Sequence, residues 1–315
     1  MGPQNPDNLP IDNVIQGTHG QLVAFFFFHG WTTFFGLPIL LGIMVFSKRV
    51  QRHATFINLS VAFLVIGLAS NLLLLSGKAF GPEPSRMLCL LQASLLYGMP
   101  SLLSSCALMV VLQMFFLIRA AAHNQEFKGE DHVGRLWSMI NLPWIVYSVF
   151  VLATAVIGSA DVSVVSRDRR FFYCSVDVPP LSNFILIYGA LMLLTSWGFI
   201  VWTIVLLYRR WNLTSVVSID LNFPIRIMLF GIYIVVAFSL SLISIPTPST
   251  PVPDLVIATA STFFILIFGT QQDIVSVICF WKKPESGLRV DLTTGQIYDT
   301  NPVFESKPTS RFDHV

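Results

Sequence analysis

The 315-residue sequence has little charge, because Asp, Glu, Lys and Arg together make up only 11% of it. An average soluble domain is about 25% charged. Hydrophobic residues make up 54% of the chain, and the mean hydropathy is +0.70. This composition excludes an ordinary soluble enzyme and a disordered protein. It predicts an integral membrane protein, in which apolar runs of about 20 residues cross the bilayer.

Residues that carry catalysis, metal ions or cofactors are also scarce. Of the six histidines, only His29 lies within an apolar run, so the sequence has no cluster of metal ligands. A retinal protein needs a lysine in mid-membrane for its Schiff base, and the last apolar stretch has none before Lys282. There is no Gly-rich phosphate loop and no nucleophile constellation. We therefore expect no enzymatic activity and no cofactor.

Long runs without Asp, Glu, Lys or Arg occur seven times in the chain. The runs are Leu22–Phe46, Ala54–Gly77, Met87–Ile118, Leu136–Ala160, Val178–Tyr208, Ile227–Ile245 and Leu255–Gln272. Lipid offers the backbone no hydrogen bonds, so each run is expected to be a helix. The sequence predicts an all-α membrane protein with a seven-transmembrane helix bundle over residues 22–281. Residues 1–21 form a polar extracellular segment, and residues 282–315 form a disordered cytoplasmic tail.

The basic residues predict the orientation of this bundle. Eleven Lys and Arg residues lie in the linkers on one side and five on the other. Because the side richer in Lys and Arg is cytoplasmic, the amino terminus is expected outside and the tail inside. The expected location is the plasma membrane.

Two cysteines fall on the predicted outer side. Cys89 lies at the outer end of the third run, and Cys174 lies in the outer loop before the fifth. Because this side faces an oxidising compartment, we predict a disulfide that holds the loop across the mouth of the bundle. The alternative is two free thiols.

Polar residues within the runs are the candidates for ligand contacts, since burial in lipid is costly unless they face a partner or a cavity. Gln92, Asn183 and Tyr188 lie in the outer half of the predicted bundle. For the two amides the alternative is a hydrogen bond between helices. Asp254 opens the seventh run, where it either caps the helix or serves as counter-ion for a cationic ligand group.

Asp273 is a carboxylate deep in the last helical stretch. An unpaired carboxylate there would be costly, so it needs a polar neighbour, and Asn58 and Arg119 are candidates by depth. We interpret Asn58 and Asp273 as candidates for a polar switch that changes during activation. Hydration at the inner interface is the alternative.

Three stretches of sequence resemble those of one family. They are RHATFINLS over residues 52–60, CLLQASLLYGMPSLLSS over 89–105 and FFILIFGTQQDIVSVICFWKK over 263–283. With seven runs and the cysteine pair, these stretches resemble the fungal-type seven-transmembrane G-protein-coupled receptors. The resemblance implies a receptor for an extracellular ligand, which signals to a heterotrimeric G protein.

Two departures exclude the rhodopsin class of receptors by motif. The third run ends in FFLIRAAAHN, without the acidic-Arg-aromatic triplet of that class, and the seventh has no Asn-Pro pair. A seven-span transporter or lipid-handling protein is the alternative function. Scarce charge within the runs counts against an ion-coupled transporter.

The resemblance also suggests a role for cations at the predicted inner ends of the helices. These are Arg119, Arg209, Arg210, Arg226, Lys282 and Lys283. They would surround one inner cavity and could contact the carbonyl groups at the end of a G-protein helix. The alternative is that they only set the orientation of the chain.

Overall fold

The computed structural model is mostly helical. It describes residues 19–47, 53–79, 84–122, 133–167, 172–211, 222–243, 252–271, 274–275, 277, 288–290 and 297–299. Four helical stretches in this part of the chain are long and apolar enough to cross a membrane: Gly20–Phe46, Arg86–Ala120, Val133–Ala160 and Pro179–Leu206. Shorter apolar helices occupy Ala54–Ser70, Ile225–Ile234 and Asp254–Gly269.

Each predicted run contains at least one helix. The helices are α1 (His19–Trp31), α2 (Leu37–Phe46), α3 (Ala54–Ser70), α4 (Leu72–Leu75), α5 (Arg86–Tyr97), α6 (Met99–Ala122), α7 (Val133–Ala160), α8 (Pro179–Trp211), α9 (Asn222–Ile243), α10 (Val252–Ala258) and α11 (Ala260–Gly269). The first helix therefore begins three residues before the predicted boundary at Leu22. Two strands in the tail, β3 (Leu288–Val290) and β4 (Ile297–Asp299), pair antiparallel.

Proline explains two of the helix interruptions. A π-helical turn over Thr32–Gly36 separates α1 from α2 and ends just before Pro38. Proline lacks an N–H and its ring collides with the carbonyl four residues earlier, and a wider turn relieves that collision. The break at Gly98 places Pro100 in the first turn of α6. N–H groups in the first turn have no partner within the helix, so the N–H that proline lacks costs no helical hydrogen bond there. Pro143, by contrast, lies inside an unbroken α7.

Gly98 also allows two helices to approach closely. A Cβ atom at this position would lie 2.6 Å from Cδ2 of Tyr147 and 2.9 Å from Cγ2 of Val151, both on α7. A larger residue would push these side chains apart, because real Cβ contacts are never this short.

The core lies where α3, α6, α9 and α11 meet. Aromatic rings fill its centre: Phe56, Phe63, Phe230, Phe264 and Phe268. The Phe56 ring lies 4.7 Å from that of Phe268, and the Phe63 ring 4.9 Å from that of Phe264. Because α6 also packs against α7 and α8, it occupies the middle of the bundle.

The outward faces of α7 and α8 are apolar. On α7, Leu152 is 63% exposed and Val156 65%. On α8, Phe184 is 63% exposed and Leu194 69%. A soluble protein rarely exposes apolar rows of this extent, so these faces fit a membrane environment.

Candidate functional site

The predicted disulfide is confirmed. Cys89 on α5 is bonded to Cys174, with their Cα atoms 5.2 Å apart. Cys174 lies beside a small antiparallel hairpin of β1 (Val165–Ser166) and β2 (Ser175–Val176), which follows α7. We call the loop over residues 161–178 the tethered loop, and the end of the bundle at Cys89 and Cys174 the disulfide end.

Two side chains reinforce this attachment. Gln92, one turn after Cys89, is fully buried. Its Oε1 accepts a hydrogen bond from the Cys174 N–H at 3.2 Å, and its Nε2 donates to the Ala69 carbonyl of α3 at 3.3 Å. The Tyr97 hydroxyl donates to the Val176 carbonyl at 2.6 Å. The tethered loop is thus held to α5 by one covalent bond, the buried amide of Gln92 and the hydroxyl of the partly buried Tyr97.

Arg167 anchors the other arm of the tethered loop. Its Nη1 and Nη2 atoms each donate to the Ala79 carbonyl at 3.2 Å. Burial lowers the pKa of Arg167 from its usual range. Nearby, hydrogen bonds from Ser163 lower the pKa of the exposed Asp161 carboxyl.

A cavity of about 300 Å³ lies among the helices beneath the tethered loop. Residues of α1, α3, α5, α6, α8, α9, α10 and α11 line it, together with Tyr173 and Ser175 of the loop. Leu103, Ile185 and Ile234 are typical of its mainly apolar wall. Ligand sites in proteins are concave, mostly apolar and supplied with a few polar groups, and this cavity has that character.

Three of the polar residues that line the cavity lie close together although they come from separate segments. Asp254, in the first turn of α10, is 7% exposed, and its Oδ1 accepts a hydrogen bond from the Tyr173 hydroxyl at 3.0 Å. His29 of α1 is 2% exposed and packs edge-on against Phe25, with ring centroids 4.7 Å apart. The Phe25 ring lies 6.4 Å from that of Tyr173. These contacts place His29, Tyr173 and Asp254 in one corner of the cavity.

Two buried polar atoms of the cavity lining have no hydrogen-bond partner among the residues that the structure describes. They are Nδ1 of His29 and Oγ of Ser175. Ser175 is only 4% exposed, so water does not reach it freely. A buried polar group without a partner costs about 1–3 kcal/mol, and native proteins have few of them.

Of the residues predicted to bind a ligand, Asp254 lines the cavity and three others do not. Gln92 uses its amide to attach the tethered loop. Asn183 lies exposed near the start of α8. The Tyr188 hydroxyl lies 2.9 Å from Oγ of Ser105, in a hydrogen bond between α8 and α6. The sequence placed these residues along their helices but could not tell which way each side chain points.

The cavity residues that sequence reasoning missed are His29, Tyr173 and Ser175. One signal was available, because His29 is the single histidine within an apolar run. Tyr173 and Ser175 flank Cys174, so the disulfide itself points to them. Among the described residues, no group of three or more His, Cys, Asp or Glu could hold a metal ion.

The opposite end of the bundle contains a different polar contact. Arg226, in the first turns of α9, donates from Nη1 to the Ile267 carbonyl and, at 2.8 Å, to Oγ1 of Thr270. Its Nη2 donates to the Thr270 carbonyl at 3.3 Å. A cation at the carboxyl end of a helix satisfies carbonyls that lack helical partners. Arg226 therefore fastens α9 to α11, and we call this the Arg226 end.

The structure gives less detail on the other cations that were predicted to contact a partner. Arg119 is exposed near the end of α6. Arg209 and Arg210 lie in the last turn of α8, and nothing is described of their side chains. Lys282 and Lys283 lie outside the described residues. A contact of these cations with a partner stays a prediction.

Of the predicted polar switch, the structure describes Asn58 alone, because Asp273 lies outside the described residues. Asn58 Nδ2 donates to the Ile140 carbonyl at 3.1 Å, and Asn58 Oδ1 accepts from Trp144 Nε1 at 2.7 Å. Both partners are on α7. Asn58 thus joins α3 to α7 through hydrogen bonds of its side-chain amide.

His53 caps α3 at the Arg226 end. Its Nδ1 accepts a hydrogen bond from the Thr55 N–H at 3.3 Å, which satisfies one of the free N–H groups at the helix start. Burial and the positive charge of Arg135 lower the pKa of His53 from 6.5. The neutral ring that the cap requires is therefore favoured.

The chain matches no protein-family model and no curated protein.

Proposed function

We propose that this chain is a fungal-type G-protein-coupled receptor with seven membrane spans. It lies in the plasma membrane with its amino terminus outside, senses a small extracellular ligand and signals to a heterotrimeric G protein. It has no catalytic activity of its own and needs no cofactor. The observation that carries the proposal is the cavity beneath the tethered loop, because it lies at the end predicted to be extracellular.

The composition of the cavity wall supports a receptor. Phe230 and Ile234 of α9 and Asp254 and Ile257 of α10 line the same space as residues of α1, α3 and α6. A ligand there touches α9 and the α10–α11 pair at once. It can therefore favour one relative position of these helices over another, which is the requirement for a ligand-driven change of state.

The Arg226 contact supports a route from this cavity to the predicted cytoplasmic end. Arg226 joins α9 to α11, and the cavity lies between α9 and the same α10–α11 pair. A ligand that changes the spacing of these helices at one end changes the Arg226 contact at the other. Two sites that bias one mobile element are coupled, and the coupling is reciprocal.

The alternative is a seven-span transporter or lipid-handling protein, and the apolar wall of the cavity favours its lipid-handling form. The two functions differ in what a guanine nucleotide does. A receptor binds its activating ligand more tightly when it is coupled to a nucleotide-free G protein, so adding GTP weakens ligand binding. A lipid-handling protein has no such dependence.

The test is a ligand screen with a G-protein readout in cells that express the chain. A compound that triggers nucleotide exchange only when the chain is present supports the proposal. Tags at Met1 and Val315 test the orientation. The Met1 tag is expected to be accessible on intact cells, and the Val315 tag only after permeabilisation. The reverse accessibility refutes the receptor.

A further inference from the structure

We propose that the ligand of this cavity is a neutral, mainly apolar alcohol whose hydroxyl group hydrogen-bonds to Nδ1 of His29. This inference rests on the proposed function only in that it takes the cavity as the ligand site. It concerns the chemical class of the ligand, and binding alone can test it.

The cavity wall has hydrogen-bonding capacity that the described residues do not use. His29 and Ser175 line the cavity, are 2% and 4% exposed, and each has a side-chain atom without a partner. A ligand that bonds to such an atom recovers the free energy that its burial costs. The site therefore selects for a polar group on an otherwise apolar molecule.

A hydroxyl is the polar group that suits both of these atoms. Nδ1 of His29 is a donor or an acceptor according to the tautomer, and a serine hydroxyl is both. A ligand hydroxyl donates and accepts, so it satisfies either atom in any of these states. An ammonium group only donates, so it cannot bond to a protonated Nδ1.

The charge around the site favours a ligand without a carboxylate. Asp254 lines the same corner, and no Lys or Arg occurs among the described lining residues. A ligand carboxylate would be repelled by the Asp254 carboxylate in a medium of low dielectric constant. A neutral head group avoids both that repulsion and the cost of taking a charge out of water.

The rest of the wall defines the body of the ligand. Leu59, Phe63, Leu103, Leu193 and Phe230 line the cavity away from the tethered loop. They offer no polar partner, so an aliphatic chain or ring system gains free energy there from burial of its apolar surface. The ligand is thus expected to place its hydroxyl towards His29 and its apolar body among these side chains.

The experiment measures binding of four probes with the same carbon chain to the purified protein in lipid nanodiscs. The probes are 1-decanol, decane, decylamine and decanoic acid, and binding is followed by ligand-dependent protection against thermal unfolding. We expect 1-decanol to bind about tenfold more tightly than decane, as one hydrogen bond to a buried group predicts. Adding the alcohol to the buffer or to the bilayer beforehand distinguishes an aqueous from a membrane source.

His29→Phe is the decisive variant, because it keeps an aromatic ring and removes both nitrogens. It is expected to weaken 1-decanol binding about three- to tenfold and to leave decane binding unchanged. The unliganded variant is expected to be at least as stable as the parent, since it loses a buried atom that had no partner. Ser175→Ala tests the second polar atom in the same way.

Thr33→Val is the matched control. Oγ1 of Thr33 is also buried without a partner, but Thr33 does not line the cavity. The control is expected to bind 1-decanol like the parent. The inference is wrong if 1-decanol binds no better than decane, if His29→Phe keeps the preference, or if decylamine binds most tightly. Binding through His29 without any G-protein response would keep this inference and refute the receptor.

Discussion

The two ends of the bundle are held together by different kinds of bonds. At the disulfide end, a covalent bond, the amide of Gln92 and the hydroxyl of Tyr97 attach the tethered loop. At the Arg226 end, the guanidinium of one arginine holds the start of α9 to the end of α11. The first set resists opening, whereas the second can break and re-form. A bundle built in this way can keep its ligand cavity intact while its other end changes shape.

Breaking the disulfide is expected to have the largest effect. Cys89→Ser or Cys174→Ser opens a bridge between residues 85 apart in the sequence. The chain-entropy model gives a loss of about 4.5 kcal/mol for a loop of that size. Thermal unfolding of the purified variants, with and without reductant, measures this loss.

Cys106→Ala is the control, because Cys106 is buried and forms no disulfide. It is expected to cost much less than either bridge variant. A parent protein that unfolds at the same temperature with and without reductant would show that the bridge does not secure this end.

Removing the amide of Gln92 is expected to have the next largest effect at the same end. Gln92→Ala leaves the Cys174 N–H without its partner and creates a cavity, for a loss of about 2–3 kcal/mol. Denaturant unfolding measures it. Asn141→Ala provides the comparison, because this exposed amide bonds only within its own helix as far as the described contacts go. Equal losses for the two variants would contradict the role assigned to Gln92.

At the Arg226 end, Arg226→Ala is expected to cost about 1–2 kcal/mol, since a partly exposed charged hydrogen bond contributes modestly. If the chain is a receptor, the variant should also raise basal nucleotide exchange on the G protein, because α9 is released from α11. The exposed Arg119→Ala serves as control and is expected to leave stability unchanged. Unchanged basal exchange in Arg226→Ala, at equal expression, would argue against Arg226 as a restraint on signalling.

The smallest expected effect is a dependence of the folding stability on pH, which arises from His53 at the same end. The folded pKa of His53 lies below its unfolded value of 6.5. The unfolded state therefore binds more protons in this window, and stability falls as the pH drops from about 7 towards the lowered value. The cap hydrogen bond is lost together with the neutral ring, and we expect a change below about 1 kcal/mol. His53→Asn keeps a capping oxygen without titrating, so it should flatten this part of the pH profile.

The positions of the helices could be predicted from the sequence, because a long apolar run in lipid must form a helix to satisfy its backbone hydrogen bonds. The disulfide followed as well, since Cys89 and Cys174 fall on the same side of any bundle built from those runs. The break before Pro100 reflects a local property of proline. These features depend on spacing along the chain, which a sequence contains in full.

The identity of the cavity residues did not follow, because it depends on how each helix is rotated about its axis. Gln92 and Asp254 were both predicted near the outer side of the bundle, yet Gln92 bonds to the tethered loop and Asp254 lines the cavity. The predicted contact of Arg226 with a partner stays a prediction, whereas its bonds to Thr270 within the chain were not foreseen. These bonds go to a carbonyl and a hydroxyl near a helix end, and no pattern of residue types reveals such a contact.

The disulfide also sets an order of events during biosynthesis. Cys89 leaves the ribosome 85 residues before Cys174, so α6 and α7 must be made before the bridge can close. At about 5–20 residues per second, the Cys89 thiol waits roughly 4–17 seconds for its partner. During that interval the Cys89 thiol can form a disulfide with another thiol. A slow ribosome or a crowded translocation channel would therefore produce misfolded chains through this cysteine.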